Sequence, residues 1–429
     1  MKDRKTVIIF YTRGLYDTYA LMIADKMKEY GKDCHVICIG DDEYANFASG
    51  AMSRAMYKFS MRNAMWMYDL FNGRAKDNKK ARLKPLKNIK PDKTELNGID
   101  NFTRDITVRF QKIKNILRRF DPDVILAFTP STVNAAVKAR EQLRMYTTKI
   151  YACLTDFCLD KRFFNRRLTG YFVQNDDVKK ELVSLGVADD KIVVASFISD
   201  GSVTVYEREE IRREMCVMND KPCVVLIGGR YGAGVIKNVM NTLIEYANNY
   251  NLVVLTGGSR TIENVAMHIS GNMKDKVFLV RSVDDMAKIY SIADIVVATP
   301  TTCVCAESFI YSKPLVLIKG AGHVERANAA YLIMRGYAYD GAGKEKLVNS
   351  ISDIMINGSK CNAIPERYIG SNIDAFVDSV MELAENNYLE KKIILEQEAV
   401  GAAESGNEDN LQAIDGEEIE EINEITEVK

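Results

Sequence analysis

The chain has 429 residues, 47% of them hydrophobic, and a formal net charge of −1. This length exceeds one ordinary core and predicts two domains with appendages, and the near-zero charge gives no overall basic field for nucleic acid. Nine cysteines without a CxxC pair, and a charged start that enters a short apolar strand directly, favour a reduced, cytoplasmic protein. The longest apolar runs are far shorter than the ~20 residues of a membrane span.

Short runs of β-branched residues alternate with helical patterns along the first half of the chain. TVIIFYT, DPDVILAFT and TGYFVQN are each followed by a helical segment. Strand–helix alternation with continuously apolar strands is typical of a parallel sheet covered on both faces. We therefore predict a first Rossmann-like domain over residues 1–198.

A second series of the same kind follows a charged linker helix. Its strands read CVVLIGG, NLVVLTGG, KVFLVRS, ADIVVATP and KPLVLIKG. They predict a second doubly wound domain over residues 203–370, then a closing helix over 371–398 that either completes the fold or crosses back to the first domain. Residues 399–429 are strongly acidic and lack aromatic residues, which predicts a tail that is disordered or only weakly helical.

One segment, residues 44–120, breaks the alternation and is predicted as an insertion. Its first part is rich in Met and holds the single tryptophan, and its second part is a basic loop punctuated by proline. Two interpretations stand: an interfacial anchor on an anionic membrane, or a Met-rich core helix beside a solvated loop. The residues singled out for membrane or acceptor contact are Arg62, Trp66, Lys79, Lys80, Arg82 and Lys84.

Glycine-rich stretches follow two strands of the second series. GGRYGAG covers residues 228–234, and TGGS covers residues 256–259. In open α/β sheets, ligands bind beyond the carboxyl ends of the strands, and bare backbone at a helix N-terminus suits a phosphate. The alternative is a tight turn. GGRYGAG is not GxGxxG and has no acidic partner ~20 residues further on, so it is a weak dinucleotide fingerprint.

The order of IGGRYGAG, LVVLTGG, RSVDDMAKIYSIADIVVATP, AESFIYSKPLVLI and GHVERANAAYLIMRGYA resembles the carboxyl half of a GT-B glycosyltransferase. More narrowly, the chain is similar to the monogalactosyldiacylglycerol synthase and processive diacylglycerol glucosyltransferase group over residues 5–375. The resemblance implies an α/β GT-B fold in which two Rossmann-like domains face a cleft. It implies transfer of a hexose or N-acetylhexosamine from a UDP-sugar to a lipid hydroxyl, with inversion and no obligatory metal or cofactor, at an anionic inner membrane face. A degenerate protein that binds without turnover and a nucleotide-sugar epimerase are the alternatives.

The resemblance also assigns the donor site. Glu307 matches the acidic residue that bonds the ribose hydroxyls, Glu325 and Asn328 lie near the donor sugar and diphosphate, and Val283 lies near the uracil. The complete donor set is Gly229, Gly232, Gly234, Thr256, Gly257, Val283, Glu307, Glu325 and Asn328. The alternative for Glu307 is a carboxylate in the first turn of a helix, stabilised by the macrodipole.

Two departures from the family pattern concern activity. Tyr16 stands where the family has a histidine, and this leaves Asp17 or Asp156 as the acceptor base, with a helix cap or a turn as the alternative for each. Thr301, Thr302 and Cys303 replace a glycine-rich turn, which predicts a narrower and less polar donor pocket. The cysteines of TPTTCVCAES are interpreted as fillers and not as metal ligands, because a structural zinc site needs four ligands.

Overall fold

The structure is a computed structural model. It describes residues 4–11, 17–30, 34–40, 110–195, 203–217, 220–228, 233–271, 276–281, 285–320, 322–365, 368 and 373–405.

The first sheet is parallel and its strands lie in the order β2-β1-β3-β4-β5-β6. The strands are β1 (Lys5–Tyr11), β2 (Cys34–Gly40), β3 (Val124–Ala127), β4 (Lys149–Leu154), β5 (Gly170–Val173) and β6 (Ile192–Val194). The helices of this part are α1 (Asp17–Tyr30), α2 (Phe110–Phe120), α3 (Pro130–Leu143) and α4 (Asp176–Ser184). Two short 3-10 helices cover Lys161–Phe163 and Asp189–Lys191.

The continuously apolar strands bury both of their faces. Val7 and Ile9 of β1 pack into one hydrophobic cluster, while Ile8 and Phe10 point to the opposite face and pack into another. Successive side chains of a strand alternate between faces, so a strand covered on both sides must be apolar throughout.

The second sheet is also parallel, with the order β12-β11-β10-β7-β8-β9. Its strands are β7 (Cys223–Ile227), β8 (Asn251–Leu255), β9 (Val277–Val280), β10 (Ile295–Ala298), β11 (Leu315–Leu317) and β12 (Tyr339–Asp340). The remaining helices are α5 (Arg208–Glu214), α6 (Ala233–Ile244), α7 (Arg260–Ser270), α8 (Met286–Ile292), α9 (Thr302–Ile310), α10 (His323–Met334), α11 (Lys344–Asn357) and α12 (Ile373–Ser405).

The end of the predicted insertion belongs to the first domain's own helical layer. Residues 110–120 form α2, which buries Ile113 and Leu117 in the core shared with α3. The predicted insertion over 44–120 is therefore wrong for these residues, because the apolar spacing of α2 matches a core-facing helix. The rest of the insertion lies outside the described residues.

The last helix, α12, crosses back to the first sheet. Phe376 packs edge-on against Phe172 of β5, with ring centroids 4.6 Å apart. Further along, Lys391 Nζ lies 2.9 Å from Asp121 Oδ1 and 3.2 Å from the carboxylate of Asp123, which is fully buried. Of the two alternatives for this helix, the structure therefore shows the crossing to the first domain.

The same helix extends into the segment that was predicted as a disordered or weakly helical tail. It ends at Ser405, so of the two alternatives for the tail, disorder is wrong over 399–405 and a helix is present there. Alanine and glutamate, which occur in the GAAES sequence at this end, are strong helix formers. Residues 406–429 lie outside the described residues. Within the part of the chain that the structure describes, no helix is long and apolar enough to cross a membrane.

Candidate functional site

The candidate site lies where the strand order of the second sheet reverses direction. There β10 pairs with β7, and Ala298 is opposite Ile227 at their carboxyl ends. In doubly wound sheets this switch point forms a crevice for ligands. The stretch TPTTCVCAES leaves β10 at this edge and becomes α9 after Thr301, which caps the helix without a side-chain hydrogen bond.

Glu307 lies on α9 and receives a hydrogen bond from α8. The Tyr290 hydroxyl donates to Glu307 Oε2 at 2.9 Å. The Tyr290 ring is fully buried and stacks on Tyr311, with centroids 5.1 Å apart and an interplanar angle of 3°. Burial raises the pKa of the Glu307 carboxyl, and the hydrogen bond from Tyr290 opposes that rise.

Asp156 follows β4 in the first domain, yet its carboxylate is bound by the second domain. Asp156 Oδ1 accepts hydrogen bonds from Thr302 Oγ1 at 2.9 Å and from Asn328 Nδ2 at 2.8 Å. Burial raises the pKa of this carboxyl, and the bonds from Asn328 and Thr302 oppose the rise. A predicted catalytic base and two residues of the predicted donor region thus form one hydrogen-bonded group across the cleft.

Asn328, on α10, is the centre of this group and is only 1% exposed. While its amide nitrogen donates to Asp156, its Oδ1 accepts from the backbone N–H of Phe157 at 3.0 Å and from Cys158 Sγ at 3.3 Å. In this structure both ends of the Asn328 amide bond the LTDFC loop of the first domain. Its predicted contact with a donor stays a prediction.

Helix α10 continues the contact between the domains beyond Asn328. Tyr331 donates its hydroxyl to Asp177 Oδ2 at 3.0 Å and stacks on Phe157, with centroids 6.5 Å apart and a 10° interplanar angle. Arg335, just after the helix, forms an ion pair with the same Asp177 carboxylate. The helix that carries the predicted HVERAN donor motif is thus bonded along its length to the first domain.

The other described donor candidates occupy three places. Thr256 directly follows β8, and its buried side chain has a hydroxyl 3.4 Å from the Val280 carbonyl oxygen. Gly257 follows with φ +58°, a left-handed conformation that favours glycine. Glu325 is partly buried in the first turn of α10, and Gly234 lies in the first turn of α6.

Several predicted residues cannot be placed. Gly229, Gly232, Val283, Arg62, Trp66, Lys79, Lys80, Arg82 and Lys84 lie outside the described residues, as does Tyr16. Asp17 begins α1, but its side chain is not described. These assignments stay predictions.

The cysteines of TPTTCVCAES point in different directions. Cys305 is fully buried in the core, whereas Cys303 is exposed on the first turn of α9. Among the described residues, no group of three or more His, Cys, Asp or Glu side chains is arranged to hold a metal ion.

Two contacts of the site, Tyr290–Glu307 and Thr302–Asp156, carry no signal in the sequence. Tyr290 reads in the sequence as one apolar position of a short helix, and Thr302 as a substitute for glycine. The Tyr290–Glu307 contact spans 17 positions and the Thr302–Asp156 contact spans 146. No local spacing signals either contact, because both depend on how helices and domains pack.

The architecture is the GT-B fold, two Rossmann-like domains facing a cleft, as the sequence predicted. Its solved neighbours include MnaA of S. aureus with UDP (TM-score 0.58, 14% identity, 90% of this chain and 97% of that one). They also include a UDP-GlcNAc 2-epimerase of Neisseria meningitidis bound to UDP-GlcNAc (TM-score 0.54, 14% identity, 88% and 100%) and MurG of Acinetobacter baumannii (TM-score 0.53, 14% identity, 88% and 99%). At this identity the likeness shows the fold alone.

The predicted resemblance to the monogalactosyldiacylglycerol synthase and processive diacylglycerol glucosyltransferase group is also confirmed. Residues 18–195 match the family described as monogalactosyldiacylglycerol (MGDG) synthase. A processive diacylglycerol beta-glucosyltransferase of Bacillus mycoides is 23% identical over 232 residues, which are 53% of this chain and 58% of that protein. Its counterpart from Bacillus licheniformis is 20% identical over 282 residues, 64% of this chain and 72% of that protein. The first match thus spans little more than half of the relative's length.

Proposed function

We propose that the protein is a glycosyltransferase that moves a hexose or N-acetylhexosamine from a UDP-sugar to a diacylglycerol-like lipid hydroxyl, with inversion. The observation that carries the proposal is the place of Glu307, on the helix that leaves the switch point of the second sheet. A carboxylate there can accept hydrogen bonds from the vicinal hydroxyls of a ribose. The lipid acceptor is supported by the family match over residues 18–195 and by the names of the Bacillus relatives.

The departing UDP needs hydrogen-bond donors at its diphosphate. Helix α9 begins beside this crevice with no side-chain cap on its first N–H groups, and such groups suit a phosphate. Donors aimed at the charge that develops on a leaving group are the largest contribution an inverting transferase can make. We expect no obligatory metal or cofactor, so turnover should be unchanged when EDTA is added.

The sequence suggested Asp156 as the acceptor base, but its contacts with the second domain favour a structural role. Its carboxylate holds Thr302 and Asn328, both beside the candidate donor site. This geometry supports a part in holding the two domains in register, which aligns donor and acceptor. Asp17 stays a candidate for the base that takes the acceptor proton.

The direct test is turnover with defined donors. Purified protein is incubated with UDP-glucose, UDP-galactose or UDP-N-acetylglucosamine, with and without anionic liposomes that contain diacylglycerol. Released UDP and a glycosylated lipid, identified by mass spectrometry, are the expected products. The Glu307→Gln variant is the matched control, since it preserves the shape of the side chain and removes its charge.

Binding without turnover is the second candidate function. It is favoured by Tyr16 in place of the family histidine and by the Thr301–Cys303 stretch in place of glycines. Saturable UDP binding with no UDP release from any donor would support it over the transferase. Absence of UDP binding would overturn both candidates and the donor-site assignments to Glu307 and Glu325.

We also propose that the protein attaches peripherally to the cytoplasmic face of the cell membrane through the Met-rich and basic segment. An amphipathic stretch rich in Met and aromatic residues, next to a dense cluster of Lys and Arg, suits an anionic lipid surface. Replacing Lys79, Lys80, Arg82 and Lys84 by Ser should weaken sedimentation with anionic liposomes and leave UDP binding unchanged. Unchanged sedimentation would exclude these residues as the anchor.

A further inference from the structure

Tyr290 carries a buried hydroxyl that bonds the Glu307 carboxylate. It lies on α8, is fully buried, and donates to Glu307 Oε2 at 2.9 Å. A buried hydroxyl needs a hydrogen-bond partner. A partly buried carboxylate is an unfavourable partner, because burial raises the free energy of the charged carboxylate. A main-chain carbonyl meets the same need elsewhere in the domain, where Tyr250 donates to Leu243 at 2.7 Å.

The ring of Tyr290 is fixed independently of this hydrogen bond. Tyr311 stacks on it almost in parallel, at 5.1 Å between centroids, and Ile289 and Ile292 of the same helix are fully buried. An offset aromatic pair of this kind is itself stabilising. The position of the Tyr290 hydroxyl is thus set by packing, and the hydrogen bond orients the Glu307 carboxylate toward it.

The consequence falls on the two oxygens of Glu307. Tyr290 occupies one lone-pair direction of Oε2, and no other donor among the described residues bonds this carboxylate. Burial is also the main reason that the pKa of Tyr290 is raised, so its hydroxyl keeps its proton and stays a donor. Oε1 and the second lone pair of Oε2 remain as acceptors for a ligand.

We propose that Tyr290 is a positioning residue that orients the Glu307 carboxylate for two adjacent hydroxyls, so that the site selects ribonucleoside diphosphates over their 2′-deoxy counterparts. This inference rests on the proposed function, since it takes Glu307 as the ribose contact. A site built to bond both hydroxyls disfavours a ligand that lacks one, because a group of the site is then left unpaired.

The experiment measures the affinity of the full chain for UDP and for 2′-deoxy-UDP by titration calorimetry. Wild type should prefer UDP, and Tyr290→Phe should weaken UDP binding by several-fold to about tenfold, because the Glu307 side chain is then no longer held in place and has to be ordered when UDP binds. The same variant should weaken 2′-deoxy-UDP binding by a smaller factor, so the preference shrinks. Tyr250→Phe is the matched control: it also removes one buried tyrosine hydroxyl, and it should leave both affinities unchanged.

A double-variant cycle separates positioning from general support of the fold. If Tyr290 acts through Glu307, then Tyr290→Phe should have no further effect on UDP affinity in a Glu307→Ala background, where no side chain remains to be oriented. An equal loss of affinity in both backgrounds, or an unchanged preference for UDP in Tyr290→Phe, would overturn the inference. Wild type that does not bind UDP would instead overturn the proposed function, so the two failures are distinguishable.

Discussion

Asp156 and Glu307 are two partly buried carboxylates, one beyond the carboxyl end of each sheet. They differ in which domain supplies their hydrogen-bond donors. Burial raises the pKa of both. Among the described residues, Glu307 accepts from Tyr290, a residue of its own domain, whereas Asp156 accepts from Thr302 and Asn328, both of the opposite domain. The geometry of Glu307 is therefore set within one domain, and that of Asp156 depends on how the domains meet. A ligand site that must be preorganised is better placed on the first kind of residue.

The largest expected effect is the replacement of Asn328 by Asp. Asn328→Asp places a second carboxylate against Asp156 where an amide now donates at 2.8 Å. At pH 7 the free energy of unfolding should fall by roughly 3 kcal/mol, as for a buried charge without a partner. The loss should shrink as pH falls, because one shared proton restores a hydrogen bond between the two groups. Urea unfolding at several pH values measures both effects.

The chain offers a matched control for this variant. Asn357 donates to Asp353 at 2.7 Å on an exposed helix surface, so Asn357→Asp makes the same chemical change where water screens the charges. Its effect should stay below about 0.5 kcal/mol. Equal effects of the two variants would show that the contact between the domains is not buried in solution.

The next effect separates two roles for Asp156. Asp156→Ala leaves the donors of Thr302 and Asn328 without an acceptor and should cost about 2 kcal/mol of unfolding free energy. Asp156→Asn keeps an acceptor oxygen for both donors and should be close to wild type in stability. If Asp156 were the catalytic base, Asp156→Asn would lose turnover by ~100-fold or more; retained turnover would exclude that role.

The stability of Asp156→Asn should also depend on pH in a defined direction. Because the folded-state pKa of Asp156 is raised, the folded protein binds more protons than the unfolded chain above the ordinary pKa of about 4. Wild type therefore loses stability as pH rises from about 4 through the raised pKa, and Asp156→Asn does not. The stability of the variant relative to wild type should increase over that window.

A smaller effect concerns ligand affinity at Glu307. Glu307→Gln should weaken binding of UDP-glucose by about tenfold, or ~1.4 kcal/mol, since a hydrogen bond to a charged group becomes one to a neutral group. Protonation of Glu307 should weaken UDP-glucose binding as the pH falls. Because the pKa of Glu307 is raised, this loss should begin at a higher pH than for an ordinary glutamate, whose pKa is about 4.3. Calorimetry across this range in both proteins tests the prediction, and an identical pH dependence would contradict it.

The smallest effect tests one bond between the domains. Thr302→Val removes the hydroxyl that donates to Asp156 at 2.9 Å and should cost about 1 kcal/mol of unfolding free energy, the usual contribution of one hydrogen bond. Thr242→Val is the control, because within the described part of the chain the Thr242 hydroxyl bonds the Asn238 carbonyl of its own helix and no residue of the first domain. A Thr302→Val loss no larger than that of the control would remove Thr302 from the interdomain group.

Much of the fold was predictable because its signals are local. Continuously apolar strands such as CVVLI and ADIVVA, each followed by a helix, require a covered parallel sheet whatever the partner strands are. The glycines after β8 also signalled a turn, and Gly257 adopts the left-handed conformation that such turns use. The boundary of the predicted insertion near Phe110 was wrong, because the basic composition of the segment does not reveal that the apolar spacing of α2 matches a core-facing helix.

The sequence by itself determined which residue types stand at the ends of the strands, including Glu307 after β10 and Asp156 after β4. Only the tertiary structure decided their partners. Asn328 and Asp156 are 172 positions apart in the chain, and their contact requires both sheets to form and α10 to dock on the first domain. Tyr290 reaches Glu307 because α8 and α9 pack on the same core. Contacts of this kind arise from burial and packing at a distance, for which a local pattern carries no signal.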